Sequence, residues 1–329
     1  MTNFTFKTRL RSTTTLLALI LAFPIIMPQM AFADGTAECN TDGGDDTTTE
    51  CGVDSETGSE NATAVGNLAS ATGVRSTAIG SGSVADEENA SALGSSAHAT
   101  GQRSTAIGTF SSASGFNASV LGTAAQATGA ASTAIGADSF ATEIEASALG
   151  VFARAFGERS TAIGGSSEAS GSQSTAIGVS SAATTSNASA LGFNAQATGS
   201  SSTAIGTNSA ATGNQASALG NGAQATVFAS TAIGTAAAAT DLGASAFGNG
   251  AQATGNSTTA IGVFSTATAN GATALGRFTD ATGSESTAIG GSVEATADRA
   301  TAIGSSAQAT AEHATACLLY TSPSPRDRG

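Results

Sequence analysis

The stretch S-T-A-I-G-T-N-S-A-A-T-G, Ser202 to Gly213, decides how the chain is read, because it is one copy of a unit repeated along most of the sequence. Its opening pentapeptide recurs as STAIG at Ser76–Gly80, ASALG at Ala90–Gly94 and STAIG at Ser104–Gly108. The closing glycine returns at Gly66, Gly80, Gly94, Gly108, Gly122 and Gly136 and onward to Gly304, with no insertion. Eighteen blocks of fourteen residues therefore run from Ala62 to about Thr315. A fixed period of this kind signals a stacked, quasi-one-dimensional architecture. STAIG and ASALG forms alternate from Gly80 to Gly164 and again after a slip at Gly178, the pattern of growth by duplication of two-coil units.

Each block holds two segments that alternate with period two, the strand signature. Ser76 and Ala78 fall on one face, Thr77 and Ile79 on the other; over residues 67–71, Ala69 and Ala71 oppose Leu68 and Ser70. Alanine occupies the Ala71 position in all eighteen blocks, so four small residues per block point inward and make a thin, tightly closed coil. The closing glycine predicts a chain reversal at positive φ. A second glycine, as at Gly73, Gly101, Gly115 and Gly129, is replaced elsewhere by Glu87, Glu143, Thr185 or Asp241, so that turn accepts side chains. Fourteen is also two heptads, but one or two glycines per block would each cost a helix about 1 kcal/mol. The expected fold is an all-β parallel β-roll solenoid, one coil per block.

Coils stacked about 4.8 Å apart make a rod of roughly 85 Å. The residue before each closing glycine then forms one column: Val65, Ile79, Leu93, Ile107, Leu121, Ile135, Leu149, Ile163, Ile177, Leu191, Ile205, Leu219, Ile233, Phe247, Ile261, Leu275, Ile289 and Ile303. These side chains point away from the Ala/Ser interior. A strip of roughly 800 Å² exceeds the few hundred that a soluble monomer normally exposes, so the column requires a cover, and self-association in register supplies the simplest one.

Composition narrows the function. Of 329 residues none is Trp and one is Tyr, so no core of large side chains can form. The formal charge is −13 and Lys7 is the only lysine, which removes the basic patch that nucleic acid requires. Lys7, Arg9 and Arg11 precede an apolar run over residues 16–26 and an A-x-A site at Ala31–Ala33; residues 1–33 read as a secretory signal peptide, the run being short for a membrane span and broken by Pro24 and Pro28. Residues 34–61, with nine acids and no base, read as an acidic N-terminal cap or linker. Export permits a disulfide between Cys39 and Cys51. Asp42, Asp45 and Asp46 miss the spacing of a calcium loop.

No catalytic constellation can be assembled. His98 and His313 are far apart, no Cys/His/acid cluster has metal-ligand spacing, and no G-x-S-x-G occurs with matching partners. No enzyme activity, metal or cofactor is expected. Phe110, Phe152, Phe264 and Phe278 share one outward position, either as contact points or as local cover for neighbouring turns.

The S/A-x-A-I/L-G strand, the small-x-Ala strand and the frequent second glycine, all present in Ser202–Gly213, resemble the head repeats of YadA-type trimeric autotransporter adhesins. The resemblance covers about three-quarters of the chain. It implies a left-handed roll, a homotrimer with the Ile/Leu column toward the threefold axis, and a bacterial cell-surface adhesin displayed at the outer membrane for host matrix, cells or abiotic surfaces. The family's NSVAIG form is absent, so collagen is not implied. No neck, stalk or membrane barrel follows the head, so any membrane attachment is expected through an anchor outside this chain. After residues 62–316 the pattern breaks at Cys317, and residues 317–329, CLLYTSPSPRDRG, read as a non-native tail. The competing expectation is an ice-binding solenoid using the Thr/Ser column Thr77, Ser91, Thr105, Ser119 and Thr133.

Overall fold

In the computed structural model the chain divides into two units, Met1–Glu38 and Cys39–Gly329. The structure describes residues 39–40 and 47–317, all in the second unit. The expected signal peptide, Asp42, Asp45, Asp46 and residues 318–329 lie outside the described residues.

The described residues are all-β and form a parallel solenoid of about 19 turns. Two kinds of strand alternate along the chain. Three-residue strands such as Thr77–Ile79 and Ser91–Leu93 stack in parallel to form sheet A. Two-residue strands such as Ser70–Ala71 and Val84–Ala85 stack in parallel to form sheet B. Every parallel pairing joins residues fourteen apart, Thr203 with Ser217 and Ile205 with Leu219 for example, so the register never slips.

Alanine fills the space between the sheets. Ala64, Ala71, Ala78 and Ala85 have no exposed surface, and neither do Ser76 and Ser83 beside them. Each coil thus closes over two small residues from each sheet, as the alternation requires. The second segment is shorter than that alternation suggested: its strand starts at Ser70, while Leu68 belongs to the preceding corner at φ 56°. Hydrogen bonds run along the stack even through the corners, as in Leu68 N–H to Val53 C=O and Arg75 N–H to Glu60 C=O, each at 2.9 Å.

A shorter period lies inside the coil. From Asp54 to His313 every seventh residue is left-handed, with φ between 52° and 67°. Each is the third residue of a β-turn, closed for example by Ala69 N–H to Gly66 C=O at 3.3 Å and Ser76 N–H to Gly73 C=O at 3.2 Å. One coil is two seven-residue half-coils, each a small-x-small strand and a left-handed corner. The inward residues had carried this period too, recurring at 62 and 64, 69 and 71, 76 and 78.

The ladder also begins before the first recognisable block. Label the first four strands β1 (Cys39–Asn40), β2 (Thr49–Cys51), β3 (Glu56–Thr57) and β4 (Thr63–Val65). β2 pairs in parallel with β4, placing Glu50 beside Ala64 and Cys51 beside Val65. Thr57 pairs with Ala71. This coil escapes the repeat count because Glu50 and Thr57 occupy slots that alanine fills elsewhere. The Glu50 carboxylate accepts a hydrogen bond from Thr57 N–H at 2.7 Å, so polar groups finish the end of the alanine core. β1 lies antiparallel on β2, and Cys39 and Cys51 are disulfide-bonded there.

Candidate interaction faces

A solenoid with an alanine interior has no room for a pocket among its core side chains, so function falls to its outside. Four strips run along the roll: the outward faces of sheets A and B, and the two corners between them.

On sheet A, the strand alternation that buries Ala78 turns Thr77 and Ile79 outward together. The aliphatic column is therefore continuous and open in the single chain: Ile79 is 40% exposed, Leu121 50% and Ile205 40%. Leu93, Ile107, Ile135, Ile163, Ile177, Leu191, Ile233, Ile261, Ile289 and Ile303 are exposed as well, while Leu149, Leu219, Phe247 and Leu275 are partly covered. Parallel register holds them in one line. The Thr/Ser column shares this face, so whatever covers one column covers the other.

The corner that follows sheet A carries the left-handed residues Leu68, Phe110, Phe152, Asn194, Asn208, Phe264 and Phe278. A bulky residue in this conformation is an outlier that surrounding structure has to impose. The imposition here is the ladder itself: Phe110 N–H is held by Ser95 C=O at 3.0 Å and Phe264 N–H by Asn249 C=O at 2.8 Å. Phe264 and Phe278 stack with centroids 5.7 Å apart, and the Arg277 guanidinium lies 4.4 Å from the Phe278 centroid. All four outward rings stay largely open: Phe110 is 63% exposed, Phe264 51%, Phe152 49% and Phe278 44%.

The opposite corner is mostly polar. Its left-handed residues pair coil to coil, as in Arg159 with Glu145 and Arg299 with Glu285, each at 3.1 Å, and Arg75 with Asn89 at 2.9 Å. Arg75 also pairs with Glu88. Exposed pairs like these contribute about 0–1 kcal/mol each. His313 sits on this corner beside Glu312, and His98 is exposed on sheet B. Among the described residues no group of three or more His, Cys, Asp or Glu could hold a metal, and no helix is long and apolar enough to cross a membrane.

The comparison with protein families agrees with this geometry. The model of the YadA head domain repeat matches residues 59–83, 85–111, 113–139, 141–167, 169–195, 197–225, 253–279 and 295–316. The chain belongs to the YadA head family. The unmatched gaps fall inside the same ladder, where Ala238 pairs with Gln252 and Ala281 with Ala295 in unbroken register. No individual curated protein matches the chain. Membership in the YadA head family indicates an adhesin-type function at the cell surface, in a fold that is typically non-enzymatic.

Sequence reasoning located the YadA head's aliphatic column and its outward phenylalanines. It missed the left-handed backbone beneath those phenylalanines. Positive φ normally announces itself through Gly or Asn, and here Phe, Arg, Glu and Ala occupy it as well.

Proposed function

We propose that this chain is the head of a bacterial surface adhesin, exported by its N-terminal leader, its roll left-handed and assembled as a homotrimer through the aliphatic column. The observation that carries the assembly is the uncovered line of Ile and Leu on sheet A, held in register over the whole roll. Three copies side by side bury that line and leave sheet B and the corners facing outward. Attachment then comes from many similar weak contacts at variable outward positions such as Phe152, Arg154, Asn194 and Gln196, where avidity supplies the strength. Matrix, cell-surface and abiotic ligands are all compatible with such a surface.

The test displays heads of six, twelve and eighteen coils on a family-type stalk and anchor and measures cell attachment. Attachment should rise gradually with length. Loss on removing one particular block would indicate a discrete site, and no attachment at any length would refute the adhesin reading. The ice-binding alternative needs the Thr/Ser column uncovered, so it gains support only if the head proves monomeric.

A further inference from the structure

The charges of this acidic chain are unevenly placed. Between Ala169 and Gly276 the only charged residue is Asp241, whereas Glu168 and Arg277 stand immediately outside. Over this stretch the outward face of sheet B is built from two regular columns. One alternates Ala182, Gln196, Ala210, Gln224, Ala238 and Gln252. The other is threonine in every coil from Thr184 through Thr268.

Parallel register puts Gln196 next to Ala210, Ala210 next to Gln224 and Ala238 next to Gln252. A carboxamide therefore projects every second coil, about 9.6 Å apart, with a threonine hydroxyl every coil, about 4.8 Å apart. All three glutamines are exposed, and their amides make no hydrogen bond to another described residue. Acids close the strip at both ends, Glu168 before it and Asp280 after it.

We propose that this strip of sheet B, Ala182 to Thr268, binds an uncharged, extended β-1,4-linked polysaccharide lying along the coil axis. Its two-sugar repeat is close to the two-coil spacing of the amides, so each disaccharide meets the same amide and the same pair of threonine hydroxyls. An amide offers both donors and an acceptor, which suits sugar hydroxyls. A charged polymer finds no complement in a neutral strip, and placing its charges there gains nothing electrostatically. An ice lattice requires a flat hydroxyl–methyl plane, which the protruding glutamines interrupt. The inference rests on the adhesin reading and names a ligand class for it.

The experiment is co-sedimentation of the full disulfide-bonded chain with microcrystalline cellulose and with chitin, beside starch granules and heparin beads, at low and high salt. Retention on cellulose or chitin that survives high salt is expected. The triple variant Gln196→Glu, Gln224→Glu, Gln252→Glu should lose roughly tenfold in retention, because repeated weak contacts are removed together, with an unchanged circular dichroism spectrum. Equal retention of the triple variant overturns the site. Retention on heparin alone, lost in salt, overturns the ligand class, as does inhibition of ice recrystallisation without glycan retention. Displayed heads that attach to protein-coated glass while the chain ignores cellulose and chitin overturn this inference and leave the adhesin reading standing.

Discussion

Gly178 and Gly222 both have positive φ, yet they answer to different constraints. At Gly178, φ is 131° and an added Cβ would lie 2.4 Å from the Gly192 carbonyl oxygen of the next coil. At Gly222, φ is 65° and nothing lies within 4 Å of that position. Gly178→Ala should therefore destabilise the head by at least about 1–3 kcal/mol, combining strain with a backbone clash. Gly222→Asn should be close to neutral, since Asn tolerates the left-handed region and Asn194 and Asn208 already occupy equivalent corners. Thermal unfolding followed by circular dichroism checks both. The invariance of the closing glycine was legible in the sequence, and its second cause, the approach of the next coil, was not. That contact joins residues fourteen apart and appears only once the stack exists.

At the scale of the strand, the inward serines are of two kinds. Ser209, beside sheet B, donates to the Gly206 carbonyl at 2.9 Å, and Ser83, Ser111 and Ser139 make the same bond. Beside sheet A, Ser132 and Ser230 donate in the same way to the Gly129 and Val227 carbonyls at 2.6 and 2.7 Å, whereas Ser202, Ser76 and Ser104 are fully buried with no partner for the hydroxyl. Ser209→Ala should cost about 1 kcal/mol, whereas Ser202→Ala should be neutral or stabilising, because it removes an unsatisfied buried group. Chemical denaturation of the two variants provides the comparison. Ala204→Leu forces several extra carbons into a space sized for methyl groups, and should cost about 1–3 kcal/mol or more. The alanine faces were readable from period two alone. The coil at Thr49–Thr57 was hidden because Glu50, Cys51 and Thr57 replace the diagnostic residues, and the end of a core has reasons to depart from its middle.

At the scale of the whole assembly, the prediction concerns what covers sheet A. Burial of one Ile contributes about 1.5–3 kcal/mol, so Ile205→Asp together with Ile233→Asp should dissociate or aggregate the head. Light scattering on residues 34–316, with and without a fused trimeric coiled coil, should report a trimer for the wild type, and a wild-type roll that stays monomeric unfused and gains no thermal stability from the fusion would sink the packing argument. The column itself was legible, because the residue before the closing glycine is aliphatic in every block but the one with Phe247. The ligand was not, because the outward positions are variable and no folding constraint selects them. The axial hydrogen bonds carry a mechanical consequence. In this roll the backbone bonds between coils lie along the stacking direction, so tension applied to the two ends loads the coils in series. A coil that yields first releases fourteen residues, growing from about 4.8 Å to about 46–50 Å of extended chain. Under shear, such a head would lengthen stepwise at nearly constant force, acting as a shock absorber between the cell and whatever it grips.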